Sequence, residues 1–183
     1  MKRLREVTLT LGLWLSAGGA GFAQVPVLAS RPGQTLTFSV GDSTRVADVT
    51  REGFSADGVV VQRAPGRLRG EVGVEPLNVE LEPQRVAGTL GDHRVSLDVL
   101  RARDGLQIVG SFGARSIAIE VRPSGIHGQV GPCWYSLTRA GADYRGNVSC
   151  GGPAEMVDLK VPVSFVARDD RELAAMLTAL LAR

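Results

Sequence analysis

Between residues 57 and 150 the chain alternates apolar and polar positions in short runs, among them Leu77-Val79-Leu81, Val95-Leu97-Val99, Ile117-Ile119-Val121 and Tyr135-Leu137. Alternation with period two sends successive side chains to opposite faces and predicts half-buried β-strands. A second, glycine-centred segment recurs between these runs: LRGEVG at 68–73, VAGTLG at 86–91, IVGSFG at 108–113, IHGQVG at 126–131 and YRGNVS at 144–149. Their starts lie 18, 22, 18 and 18 residues apart. Two strands fit in each repeat, so the pattern predicts an all-β, repeat-built, up-and-down antiparallel meander of about ten short strands.

Turn chemistry sets the expected pairing. Pro65-Gly66, Asp104-Gly105 and Gly141-Ala142 separate an alternating run from the glycine segment that follows, and Asp-Gly and Gly-Ala suit two-residue hairpin turns. Folding about such turns pairs Val61 with Gly70, Leu81 with Gly88, Val99 with Gly110, Val121 with Gly128 and Leu137 with Gly146. The same register pairs Val59 with Val72, Val79 with Leu90, Leu97 with Phe112, Ile119 with Val130 and Tyr135 with Val148. All of these fall on one face; Glu71, Glu80, Thr89, Asp98, Ser111, Glu120, Gln129, Ser136 and Asn147 fall on the other. At the opposite ends Val72 and Leu77, Leu90 and Val95, Phe112 and Ile117, and Val130 and Tyr135 are each five apart, with Gly first between them. The column of glycines lets the sheet curl strongly, into a barrel-like form, or lets another element approach closely. A solenoid with one coil per repeat is the competing architecture.

Cys133 and Cys150, the only cysteines, fall opposite each other when the chain folds about Gly141-Ala142. That places them within reach of a cross-strand disulfide. Outside the repeats, Thr35 to Val40 alternates before a Gly41-Asp42 turn, and residues 156–165 read as a last strand in which Pro162 marks an edge or an early end. The segment 167–183 predicts an amphipathic helix. Asp169 and Glu172 have capping-box spacing, and Leu173, Met176, Leu177, Leu180 and Leu181 form an apolar stripe. The helix is expected to pack on the apolar face of the sheet; a docking helix for a partner or membrane surface is the alternative, weakened by the lack of Lys on its polar face.

The N-terminus has the grammar of an export signal: a basic start at Lys2, Arg3 and Arg5, an uncharged apolar stretch from Val7 to Leu15, and small residues ending at Gly21-Phe22-Ala23. Cleavage is expected after Ala23. A β domain then runs over 24–166, with the helix at 167–183. A core of 17 residues carrying four glycines is marginal for spanning a bilayer. Without Lys2, Arg3, Arg5 and Glu6, the 21 basic and 19 acidic residues fall to 18 of each. The expected mature chain is neutral, with no nucleic-acid footprint, and is exported, periplasmic or secreted, where an oxidising compartment suits a disulfide. Hydrophobic residues make up 44% of the chain, enough to exclude intrinsic disorder.

Candidate chemistry is sparse. Gly41-Asp42-Ser43 is similar to part of the nucleophile block of GDSL-type hydrolases, but that family's C-terminal Asp-x-x-His has no counterpart because no His follows His127. A turn accounts for the three residues. His93 and His127 are expected at opposite edges of the sheet, about 15 Å apart, so no metal or cofactor is expected. Glu80, Asp98 and Glu120 at equivalent positions could line a sugar groove as acid and base, or form a solvated face. Asn147-Val148-Ser149 is a glycosylation sequon placed inside a strand.

Three functions remain in contention. The first is an exported, non-enzymatic β domain acting as an envelope-associated structural or interaction module, with an unknown protein partner. The second is a small carrier whose sheet curls around an apolar molecule, lined by Val79, Leu97, Phe112, Ile119, Val130, Tyr135 and Tyr144. The third is an enzyme with a site on the edge loops at Asp92, His93, Arg94, Arg115 and Trp134. The first two differ in whether the helix and packed side chains, or a ligand, fill the apolar face. A transmembrane barrel is not expected, because its strands need about 9–11 residues and an apolar outside.

Overall fold

The computed structural model describes residues 35–182; the expected export signal and its cleavage after Ala23 lie outside the described residues. Among those described, fourteen strands form a closed antiparallel barrel. In chain order they are β1 (Thr35–Val40), β2 (Ser43–Val49), β3 (Gly53–Ala56), β4 (Val59–Ala64), β5 (Arg67–Val72), β6 (Glu75–Glu82) and β7 (Arg85–Leu90). They continue with β8 (His93–Ala102), β9 (Gly105–Phe112), β10 (Arg115–Arg122), β11 (Gly125–Val130), β12 (Cys133–Ala140), β13 (Asp143–Ser149) and β14 (Glu155–Lys160). Each strand pairs with the next, and β1 pairs with β14 through Phe38 opposite Leu159. Two helices follow, α1 (Val163–Val166) and α2 (Asp170–Leu181).

The ten strands expected over 57–150 are β4 to β13, and β1 has the expected bounds. The repeats do not extend to β2 and β3, which the pattern missed. The last strand stops at Lys160 rather than Phe165. Pro162 instead caps α1, and Phe165 is buried with its ring 6.0 Å from that of Phe54.

Inward and outward faces fall as the alternation predicts, but three of the five hairpin registers are displaced by two residues. Val61 faces Gly70 and Leu137 faces Gly146 as expected. Gly88 faces Val79, Gly110 faces Leu97, and Gly128 faces Ile119. The turns sit one residue earlier than the turn chemistry suggests. Ala102 pairs with Gly105, so Arg103-Asp104 make the turn, and Pro123-Ser124 make the equivalent turn between Arg122 and Gly125. A shift of two keeps every side chain on its face.

The glycine column curls the wall. A Cβ on Gly70, Gly88, Gly110, Gly128 or Gly146 would lie 1.7–2.1 Å from a carbonyl oxygen of the preceding strand. The close neighbour is therefore the wall itself rather than another element. At the opposite end, the constant five-residue spacing comes from two-residue turns whose first residue is a glycine with φ between +53° and +70°, at Gly41, Gly73, Gly91, Gly113 and Gly131.

Eight strands leave an interior that side chains alone can fill, whereas 16 to 18 leave a channel. Fourteen leave room for a helix, and α2 occupies it. Every residue from Ala174 to Ala182 is buried, and α2 belongs to the same core as the inward residues of the wall. The expected packing on the apolar face holds, but amphipathicity understates it. The side of α2 away from its leucines carries Ala174, Ala175, Thr178 and Ala179, small enough to be buried as well.

Candidate functional site

The fold offers four places where function could reside: the lumen, the outer wall and the two rims. The arginine rim carries the turns at Pro65-Gly66, Pro83-Gln84, Arg103-Asp104, Pro123-Ser124 and Gly141-Ala142, together with α1 and the start of α2. The disulfide rim carries the glycine-first turns and the end of α2.

Six of the residues expected to line an apolar cavity, Val79, Leu97, Phe112, Ile119, Val130 and Tyr135, are buried in the lumen, in the core shared with α2. Tyr144 is only half-buried and lies at the arginine rim beside Leu106 and Leu173. The Tyr135 hydroxyl donates to the Leu181 carbonyl oxygen at 3.0 Å, satisfying a terminal helix acceptor. Burial pushes its pKa up to about 12, opposed by the positive charges of Arg45 and Arg115.

At the arginine rim, α2 is tied to the wall by a polar cluster that the sequence did not reveal. Glu172 is buried and accepts from Arg63 Nε at 2.6 Å and from Arg168 Nη1 at 3.4 Å. Arg168 also donates to the carbonyl oxygens of Thr50, in the β2–β3 connection, and Gly53, which opens β3. Burial lowers the Arg168 pKa, and Glu172 works against that shift. The capping box is therefore only half-formed. Asp169 accepts from the Arg171 backbone N–H at 3.0 Å, whereas the Glu172 side chain is committed to the two arginines. Arg171 also bonds Asp169, which lowers the Asp169 pKa through that side-chain hydrogen bond first. Arg171 reaches on to the carbonyl oxygens of Leu81 and Glu82 at 3.2 and 2.9 Å. Arg101 closes the set with Asp170 at 2.6 Å.

Beside this cluster lies an open depression of about 420 Å³, lined by Arg101, Arg103, Arg122 and Arg139, by Asp104 and Asp170, and by Val166 and Leu173. A second open cleft of about 540 Å³ lies between the β4–β5 turn and the start of α2, between Arg51, Arg63 and Arg171.

Cys133 and Cys150 form the expected disulfide, in the expected register, closing the loop between β13 and β14 onto β12. The edge-loop set does not converge. His93, Arg115 and Trp134 stand on alternate strands of the disulfide rim, about 10 Å apart at each step. Arg115 lines a rim cleft with Leu90 and Phe112, while Trp134 points outward at 57% exposure. Gly41-Asp42 forms the β1–β2 turn. His127 is exposed on the outer wall, beside Ser136 Oγ at 3.4 Å. Among the described residues no three His, Cys, Asp or Glu side chains are placed to hold a metal ion, and no helix is long and apolar enough to cross a membrane. Outward carboxylates instead pair with neighbouring arginines, as Asp98 does with Arg85 at 3.4 Å and Asp158 with Arg145 at 3.1 Å. Comparison with family models, with curated proteins and with solved structures found no match to this chain.

Proposed function

We propose that the protein is an exported, non-enzymatic β-barrel that acts as an envelope-associated structural or interaction module through its outer wall and rims. One observation carries this: α2 fills the apolar lumen in which a carrier would hold its ligand. Export is supported by the N-terminal sequence, and a disulfide in the barrel is consistent with an oxidising compartment. With the interior occupied, what remains for recognition is polar wall and charged rim.

Native mass spectrometry of residues 24–183, purified without detergent from an exporting host, tests this. The expected result is a bare polypeptide, two hydrogens lighter than its reduced form. A co-purifying apolar molecule that dissociates on activation would overturn the proposal in favour of a carrier whose helix yields to its cargo. Phe112→Trp fluorescence would then report that ligand.

A further inference from the structure

We propose that the arginine rim docks the protein onto an anionic lipid surface, an inference that rests on the interaction-module function and names its partner. Helix α1 is built for exposure on one side and anchoring on the other. Phe165 is buried against Phe54, while Val163 and Val166 stand 83% and 56% exposed. Two bare aliphatic side chains at the tip of a rim gain nothing in water, and an acyl boundary would cover them.

The adjoining depression supplies the headgroup chemistry. Arg101 is paired with Asp170, and Arg122 with Glu120 and Asp104. Arg103 makes no ion pair among the described residues, and Arg139 donates only to the carbonyl oxygens of Gly141 and Pro123. Arg103 and Arg139 line the same depression as Val166, and its two carboxylates, Asp104 and Asp170, are paired with Arg122 and Arg101, so phosphate oxygens can meet the two free guanidiniums while the valines enter the layer below. A soluble anion or nucleic acid would use the arginines and leave the valines bare.

The charge at the other rim differs: Arg45, Arg94 and Arg115 stand there among Asp42, Asp57, Glu75, Asp92 and Glu155, so carboxylates outnumber arginines. That asymmetry along the barrel axis favours the arginine rim as the end turned toward a negative surface.

Vesicle flotation of the purified exported chain decides the matter. Wild type is expected to float with mixed phosphatidylglycerol–phosphatidylcholine vesicles, less as salt is raised, and not with phosphatidylcholine alone. Replacing Arg103 and Arg139 by Gln should weaken binding about 25-fold, at roughly fivefold per arginine. Val163→Ser with Val166→Ser should weaken it about tenfold. Trp134→Ser with Met156→Ser, on the outer wall near the disulfide, should change nothing. All six positions are exposed, so near-ultraviolet circular dichroism should remain native. Absence of flotation, or flotation indifferent to both rim pairs, overturns lipid docking. Loss with the arginine pair but not with the valine pair also overturns it and points to a soluble acidic partner. A bare native mass alongside failed flotation would leave the interaction module standing without this partner. A co-purifying apolar molecule would remove the module itself.

Discussion

The two rims of the barrel hold the same helix in different ways. At the arginine rim α2 is bound through charge: Glu172 to Arg63 and Arg168, Arg168 and Arg171 to wall carbonyls, and Asp170 to Arg101. At the disulfide rim it is held by one neutral hydrogen bond, from Tyr135 to Leu181, while the wall itself is fastened covalently. The plug is thus anchored where it enters, and the wall is locked where the plug ends. Charged groups out of water are strongly held only while every partner is present. A disulfide acts instead by limiting the unfolded chain.

The largest effect should come from breaking the buried charge cluster. Glu172→Ala leaves Arg168, with its side chain only 7% exposed, without its carboxylate. We expect a loss of about 3–5 kcal/mol in urea unfolding, whereas Arg63→Ala should cost less, about 1–2 kcal/mol, because Arg63 is itself half-exposed and the buried Glu172 keeps Arg168. A loss under about 1 kcal/mol for Glu172→Ala would mean that the cluster is not the anchor. Next, replacing Cys133 and Cys150 together by Ser should cost about 3 kcal/mol, with the polar cluster intact. Gly128→Ala should then cost about 1–3 kcal/mol, because its Cβ would press on the Ala118 carbonyl oxygen at 2.1 Å, at φ +133°. It tests the wall independently of either fastening.

The smallest effect belongs to the single bond at the disulfide rim. Tyr135→Phe should cost about 1 kcal/mol at neutral pH. Its folded-state pKa of about 12 lies above the ordinary value of 10.0. The contribution is therefore complete below pH 10 and fades as pH rises from 10 to 12. Wild type should lose stability across that window, and the Phe variant should lose less. Parallel alkaline curves would show that the hydroxyl is not held in the core.

How much of this was legible follows from how local each signal is. The ten strands of the repeat are visible because Val, Leu and Ile recur every second residue. In β2 the outward Val46 is apolar and the inward Arg45 is charged, so alternation fails, and β3 has four residues. The displaced register of β8 and β9, one of three, traces to Gly105. Asp104-Gly105 reads as a turn, yet Gly105 is a strand residue whose Cβ would meet the Val121 carbonyl oxygen at 2.4 Å. Closure of β1 on β14 and the contact between Arg168 and Thr50, 118 residues apart, carry no local signal at all. Nor does the burial of Ala174 and Ala179, which on a helical projection read as the face away from the core.

Closure also decides how another chain can approach. An open sheet presents a row of unpaired amide and carbonyl groups to which a foreign strand can add. Here Phe38 opposite Leu159 joins the first strand to the last, and every strand of the wall has a neighbour on both sides. Recognition by added strands is excluded for as long as that seam holds, and so is edge-to-edge aggregation. Any partner must be met by side chains alone, and opening the seam between β1 and β14 would convert a side-chain surface into a template for polymer growth.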